Sequence, residues 1–349
     1  MKSSDTLGLA PRYQSHQSLH GSDDCSFAHG TASIGVLLRD GSAGYDVIVA
    51  AQISTSSLSI QALSPRGKGL IRRSFAFLGH LAIWVGCYVG GCVLLTSLLL
   101  HGRVPWGSLA IAVPVAIGTY LVDRVRLSPG NVDPSDQMAH EARADLLMRM
   151  GGMIRLLAFG LIGLAAVMAA DRSPLVLIAV VGAPIGVILY SHRGFSRRPK
   201  DQVLFKNACV SISIVALVML LEYPGASMGS LIAVAGFLLL HVFADAMLCD
   251  IDDSAADRRY GTITIPNLIG SARAWLLAFV LNAMAFLWMA WAAAQGLCPW
   301  MPSLVIAACL FAATLMVHAM RANRTKDLID LKLPLAVVVA WSLVLWIGL

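Results

Sequence analysis

A run of aspartates near residue 250 has the spacing of one helical face. Asp250, Asp253 and Asp257 follow one another at intervals of three and four residues, so an α-helix would present all three carboxylates on one side. Three such carboxylates repel one another unless a cation joins them. Carboxylate oxygens suit Mg²⁺, which keeps several waters and shares its shell with substrate phosphates. The pattern indicates a carboxylate–Mg²⁺–diphosphate site; the alternative is a solvated acidic helix end that needs no metal.

The composition predicts what kind of element positions these aspartates. The chain has 349 residues, of which 57% are hydrophobic and 13% are charged, and its mean hydropathy is +0.73. A soluble domain carries about 25% charged residues, and disorder requires low hydrophobicity. These values exclude a soluble globular protein and predict a polytopic membrane protein. The seven cysteines are scattered without a C-x-x-C pair, so we expect neither a disulfide framework nor a zinc site.

The apolar residues are arranged in long runs from residue 75 onwards. A helix needs about 20 apolar residues to cross a bilayer. Runs of this kind cover 75–100, 104–122, 153–170, 174–190, 203–221, 230–249, 271–294, 301–320 and 333–349. We therefore predict an all-α, polytopic membrane bundle of about nine transmembrane helices, in which the aspartate run lies just past the end of the sixth.

The distribution of lysine and arginine predicts the orientation of this bundle. If the N-terminus is cytoplasmic, all of the 26 basic residues except Arg103 and Arg172 lie on the cytoplasmic side, as the positive-inside rule requires. We expect the N-terminus and the aspartate run on that side, in a bacterial-type inner or cell membrane. The net charge of +6 then reflects topology and lipid contact, and we expect no nucleic-acid partner.

The first 70 residues differ from the rest. They are rich in Ser and Thr, contain few Lys or Arg before residue 66, and show no early apolar run behind a basic start. We predict a disordered N-terminal region over 1–70, with a small functional module as the alternative, and a transmembrane domain over 71–349.

The aspartate run resembles the second aspartate-rich motif of the UbiA family of intramembrane prenyltransferases. The matching residues are Asp250, Asp253, Asp257, Arg258, Gly261, Thr264 and Pro266, and Cys249 stands where the family usually has Asn. The family also has nine helices, with both acidic motifs on the cytoplasmic side. The resemblance covers about residues 70–349. It implies a UbiA-like bundle in which Asp250, Asp253 and Asp257 bind Mg²⁺ and act in catalysis.

The family's first aspartate motif is degenerate in this chain. At the end of the second apolar run, Thr119, Tyr120 and Leu127 stand where the resemblance would place an Asn and two aspartates, and Asp123 is the carboxylate that remains. The resemblance implies that Asp123 is a catalytic metal ligand with Arg124 beside the diphosphate. The alternative is a local Asp–Arg pair at a helix end.

The segment between the fourth and fifth runs contributes further candidates. Tyr190 followed by basic residues, and the pair Lys206-Asn207, fit the family pattern. Lys206 lies in an apolar run, where an ammonium is a functional candidate by default; the alternative is snorkelling to the interface. The resemblance implies diphosphate binding by Lys206, Arg258, Arg124, Arg198, Tyr190 and Asn207. For Arg198 the alternative is contact with anionic lipid headgroups.

The resemblance implies a Mg²⁺-dependent integral-membrane enzyme. It would ionise an allylic prenyl diphosphate and transfer the prenyl group to a hydrophobic acceptor, aromatic or lipid, whose identity the sequence leaves open. A terpene cyclase acting on the prenyl diphosphate alone is the first alternative, because the first motif is altered. A transporter without chemistry and an inactive family member are the others.

Overall fold

The computed structural model describes residues 74–125, 134–191, 201–320 and 325–347. All of them belong to one unit, Pro65–Leu349. The region predicted to be disordered, 1–70, lies outside the described residues, as do Leu127 and Arg198.

Every regular element among the described residues is an α-helix, and Asp201 alone has 3₁₀ conformation. A short helix α1 (74–80) is followed by α2 (Ile83–His101), α3 (Trp106–Val125), α4 (Pro134–Ala139), α5 (Glu141–Ala170), α6 (Pro174–Ser191), α7 (Phe205–Glu222), α8 (Met228–Tyr260), α9 (Ile265–Ile269), α10 (Ser271–Ala294), α11 (Trp300–Met320) and α12 (Thr325–Trp346). Nine of these, α2, α3, α5 to α8 and α10 to α12, are long and apolar enough to cross a membrane. The predicted all-α membrane bundle is confirmed, and the chain is an integral membrane protein.

The helical form follows from the apolar composition. Inside a bilayer no water satisfies backbone N–H and C=O groups, so a spanning segment must bond to itself as a helix. The central helices α2 and α8 are mostly buried, whereas α6 is mostly exposed. Exposed apolar side chains on the outer helices, such as Leu156, Val167 and Ile178, face the position that lipid would occupy.

The helix boundaries differ from the predicted ones where polar residues extend a helix beyond the membrane. Helix α5 begins at Glu141, twelve residues before the predicted span, because hydropathy does not detect its polar first turns. Helix α8 runs for 33 residues, or about 50 Å at 1.5 Å per residue, against a hydrocarbon core of about 30 Å. Its extra turns carry the aspartate run. The first predicted span is divided at Ala82, whose φ is 60°.

Candidate functional site

A cavity of about 1030 Å³ opens among α2, α3, α6, α7, α8 and α12, at the upper end of the range for small-molecule sites. One part of its lining is charged and comes from the ends of α3, α7, α8 and α12. The rest is apolar, with small and branched side chains from α2, α3, α6 and α7. A cavity with these two parts fits an elongated ligand with a polar head and a hydrocarbon tail.

Helix α8 contributes a continuous polar stripe to this cavity. The lining includes Asp245, Cys249, Asp250, Asp253 and Asp257. Asp250, Asp253 and Asp257 are three and four residues apart, which is the spacing of one helical face. The predicted placement of Asp250, Asp253 and Asp257 on a single face is therefore what the structure shows.

The non-acidic residues of the motif end the helix. Gly261 takes φ 78° as the C-cap of α8, and its N–H donates to the carbonyl of Asp257. A left-handed C-cap favours glycine because it has no Cβ. Thr264 caps the short helix α9, and Pro266 lies in that helix's first turn, where its missing N–H costs nothing. The motif thus combines three carboxylates with a helix stop that holds the last of them at the cavity.

Lys206 and Asn207, at the start of α7, hold Asp250. The Lys206 Nζ lies 2.6 Å from Asp250 Oδ1 and 3.7 Å from Asp257 Oδ2. The Asn207 Nδ2 donates to Asp250 Oδ2 at 3.1 Å. Both residues line the cavity. An ammonium next to two carboxylates compensates part of their mutual repulsion.

Asp253 has two partners that sequence reasoning missed. The Lys326 Nζ, on α12, donates to Asp253 Oδ2 at 3.0 Å, and the His140 Nε2 donates to Asp253 Oδ1 at 2.7 Å. Burial lowers the pKa of His140, and the hydrogen bond to Asp253 opposes this shift only in part. Neither partner has a local signal in the sequence, since Lys326 lies among other basic residues between two apolar runs and His140 lacks the second histidine of a zinc motif.

The remnant of the first motif lies on another wall of the same cavity. Asp123 accepts a hydrogen bond from the Ser191 hydroxyl at 2.5 Å. The Arg124 guanidinium contacts the Tyr120 hydroxyl, and its carbon atom lies 4.5 Å from the centre of that ring. All three of Tyr120, Asp123 and Arg124 line the cavity, so the single carboxylate of this motif shares the cavity with those of α8.

The remaining predicted residues divide into three cases. Tyr190 lines the cavity and stacks on Phe205 with ring centres 6.3 Å apart. Arg258 is exposed and lies outside the cavity lining, with its Nη2 3.5 Å from Asn267 Oδ1. It follows Asp257 directly and so points about 100° away around the helix, and its position does not favour the predicted diphosphate contact. Arg198 lies outside the described residues, and its role stays a prediction.

The donor atoms suit a metal that arrives together with phosphate. Among the described residues, no group of three or more His, Cys, Asp or Glu side chains is already arranged to hold a metal ion, because Lys206 and Lys326 take the intervening positions. Two buried oxygens, Asp257 Oδ2 and Asn207 Oδ1, have no hydrogen-bond partner. Hard oxygens of this kind fit Mg²⁺, which relies on substrate phosphates and water more than on an all-protein cage.

Solved structures with the same fold belong to UbiA homologues. The apo UbiA homologue from Aeropyrum pernix K1 is 16% identical, with a TM-score of 0.54, and the match covers 76% of this chain and 98% of that one. A UbiA homologue from Archaeoglobus fulgidus bound to GPP and Mg²⁺ is 13% identical, with a TM-score of 0.49 and 77% and 97% coverage. No protein-family model and no curated protein matches the sequence. The Aeropyrum match shows that the chain has the UbiA fold, which the sequence resemblance had implied.

Proposed function

We propose that this protein is a Mg²⁺-dependent prenyltransferase of the UbiA type. It binds an allylic prenyl diphosphate, ionises the bond between carbon and the diphosphate oxygen, and passes the prenyl group to an aromatic or lipid acceptor. The observation that carries the proposal is the two-part cavity, with carboxylates and lysines at one part and apolar walls around the rest. The Archaeoglobus fulgidus homologues have been solved bound to DMAPP or GPP with Mg²⁺.

The charged part of the cavity binds the diphosphate. Asp250, Asp253, Asp257 and Asp123 would hold Mg²⁺, whose positive charge neutralises the leaving diphosphate. Lys206, whose Nζ lies 2.6 Å from Asp250 Oδ1, donates to diphosphate oxygens. Arg124 and Tyr190 lie in the same lining and complete the set of donors that stabilise the developing negative charge.

The apolar part of the cavity holds the prenyl chain and excludes water. An allylic cation reacts with any nearby water, so a dry cavity protects it until the acceptor arrives. A site inside a membrane bundle meets this requirement and admits a lipid-like substrate from the bilayer. The distribution of basic residues favours the cytoplasmic side for the N-terminus and both acidic helix ends.

The dependence on Mg²⁺ gives the first test. Detergent-purified protein is incubated with geranyl, farnesyl or geranylgeranyl diphosphate and a panel of aromatic and lipid acceptors, and both diphosphate and organic products are measured. We expect prenylated acceptor with diphosphate release that falls at least about 10-fold on chelation and returns with added Mg²⁺. Cyclic hydrocarbons without acceptor would identify a cyclase instead, and intact substrate under all conditions would contradict the proposal.

The wall of α6 gives a prediction about chain length. Gly182 and Gly186 are four residues apart, both line the cavity, and a Cβ added at either would meet no atom within 4 Å. A larger side chain at either position therefore begins in open space at the cavity lining. We expect Gly186→Leu to reduce kcat/KM for the longest accepted prenyl diphosphate at least about 10-fold more than for the shortest. A hydrocarbon chain that no longer fits its apolar pocket loses a few kcal/mol of transition-state binding.

The matched control is Gly163→Leu on α5. Gly163 is also helical with no atom within 4 Å of an added Cβ, but it does not line the cavity. We expect its chain-length profile to match that of the unaltered protein. An unchanged profile in Gly186→Leu would show that the prenyl chain does not pass α6.

A further inference from the structure

A second polar cluster lies deeper in the bundle than the diphosphate site. Its centre is Asp245 on α8, with Tyr88 of α2 and Lys332 of α12 as partners. Asp245 Oδ2 accepts from the Tyr88 hydroxyl at 3.0 Å, and Asp245 Oδ1 lies 2.5 Å from the Lys332 Nζ. Asp245 is 2% exposed and Lys332 is 4% exposed, so this ion pair is buried within the membrane-spanning part of the protein.

The cluster is arranged so that its negative side faces the cavity. Asp245 and Tyr88 line the cavity, and Lys332 does not. Lys332 lies behind them, with its Nζ also donating to the Thr314 hydroxyl at 2.7 Å. His241 is likewise behind the carboxylate, with its Nε2 3.4 Å from Asp245 Oδ2, and it is absent from the lining.

A role restricted to stability does not explain this arrangement. A buried ion pair recovers little more than its desolvation cost, and apolar residues of equal volume would serve the fold as well. Charged residues inside a membrane bundle instead mark functional sites by default. Here Lys332 lies outside the cavity lining, whereas the Asp245 carboxylate and the Tyr88 hydroxyl belong to residues that line the cavity.

The position of Asp245 along α8 relates it to the reacting carbon. Asp245 precedes Asp250 by five residues, or about 7.5 Å along the helix axis. A prenyl chain that runs from a diphosphate at Asp250 and Lys206 into the apolar part of the cavity would pass the level of Asp245. An acceptor that meets the first prenyl carbon would then be within reach of this carboxylate.

We propose that Asp245 and Tyr88, with Lys332 as the counter-ion of Asp245, form the subsite for the acceptor's hydroxyl group. The Asp245 carboxylate accepts a hydrogen bond from that hydroxyl and places its oxygen-bearing end beside the first prenyl carbon. This inference rests on the proposed prenyl transfer and narrows it to acceptors that carry an alcohol or a phenol. A buried hydrogen-bonding site of this type strongly rejects analogues that lack the hydroxyl, because its own polar group is then left unpaired.

The test compares two probes that differ in one hydrogen-bond donor. The dissociation constants of 4-octylphenol and 4-octylanisole are measured by calorimetry for the full-length protein in detergent, with Mg²⁺ and inorganic diphosphate present. We expect the phenol to bind at least about 10-fold more tightly, and Asp245→Asn to reduce this preference to about 3-fold or less. Asp245→Glu, which keeps a carboxylate, should retain part of the preference.

Several outcomes would overturn the inference. Equal binding of the phenol and the ether by the unaltered protein would contradict it. Asp330 also lines the cavity, so a preference for the phenol that is lost in Asp330→Asn but kept in Asp245→Asn would assign the site to Asp330 instead. Where Asp245→Asn does not fold, Tyr88→Phe takes its place. It removes the hydroxyl that holds Asp245 Oδ2 at 3.0 Å, so the preference for the phenol should fall, and an unchanged preference would contradict the proposal.

Parallel samples of the same proteins, without added inorganic diphosphate, separate this inference from the proposed function. Diphosphate release from a prenyl diphosphate is measured beside each binding curve. Release with no phenol preference would refute the acceptor subsite and leave the prenyltransferase proposal intact. A clear phenol preference without release from any prenyl diphosphate would refute the enzyme proposal and, with it, the role of the subsite in transfer.

Discussion

Replacing Asp253 by asparagine is expected to reduce diphosphate release from a prenyl diphosphate by at least about 100-fold, because one charged group of the leaving-group site is lost. Asparagine keeps the size of the side chain and removes its charge. Asp253 is the carboxylate that joins α8 to two other elements, through Lys326 on α12 at 3.0 Å and His140 before α5 at 2.7 Å. The loss should appear mainly in kcat, since the additional negative charge on the leaving oxygen develops only as the bond breaks.

The control for this variant is Asp252→Asn. Asp252 is the neighbouring residue and carries the same charge, but it does not line the cavity, and its Oδ2 accepts from the backbone N–H of Lys326 at 3.0 Å. We expect diphosphate release within about 3-fold of the unaltered protein, with some loss of thermal stability because a helix N-terminus loses its acceptor. Equal losses of activity in the two variants would show that charge at this helix end, rather than the position of Asp253, determines the rate.

Replacing Lys206 by methionine is expected to have the second large effect. Methionine keeps an unbranched apolar stem and removes the ammonium that lies 2.6 Å from Asp250 and 3.7 Å from Asp257. We expect kcat/KM for the prenyl diphosphate to fall about 100-fold, as for the loss of one donor to a developing anion. Lys206→Arg should recover part of the activity, because it restores the charge with a different geometry.

The same variant makes a separate prediction about Mg²⁺ in the absence of substrate. Without Lys206, the carboxylates of Asp250 and Asp257 lose their compensating charge, and a divalent cation takes its place. The variant should melt at a lower temperature than the unaltered protein and should gain more thermal stability from added Mg²⁺. An equal gain in both proteins would show that Mg²⁺ does not bind near Lys206.

Arg258→Met is the control for Lys206→Met and tests the sequence prediction for Arg258. Arg258 is exposed at the end of α8 and lies outside the cavity lining. We expect its loss to change kcat/KM for the prenyl diphosphate by less than about 3-fold, as for an ordinary surface charge. A loss as large as that of Lys206→Met would mean that Arg258 reaches the diphosphate in the bound state.

The sequence predicts the helices well because each membrane span is determined by its own apolar residues. It also predicts the α8 stripe, since helical spacing alone places Asp250, Asp253 and Asp257 on one face. It does not predict the polar first turns of α5, because residues such as Arg143 and Asp145 lower the hydropathy below that of a span. The break at Ala82 has no local signal at all.

The partners of the carboxylates could not be predicted for a different physical reason. Lys326 meets Asp253 across 73 residues of chain, and His140 meets it across 113. Such pairs depend on how distant helices pack, which no local spacing encodes. Asp245 stands five residues before Asp250 in the sequence, but only the packing of α2 and α12 shows that it lines the cavity and its counter-ion does not.

Cleavage of the bond between carbon and the diphosphate oxygen is the central claim, and positional isotope exchange tests it without any acceptor. Farnesyl diphosphate is labelled with a heavy-oxygen isotope at the oxygen that bridges carbon and phosphorus. It is incubated with the protein and Mg²⁺, and the recovered substrate is examined by phosphorus NMR. Ionisation followed by recombination moves the isotope into non-bridging positions, so we predict scrambling that requires Mg²⁺ and is lost in Asp253→Asn. Recovered substrate with the isotope still at the bridge, from protein that binds farnesyl diphosphate, would contradict the account.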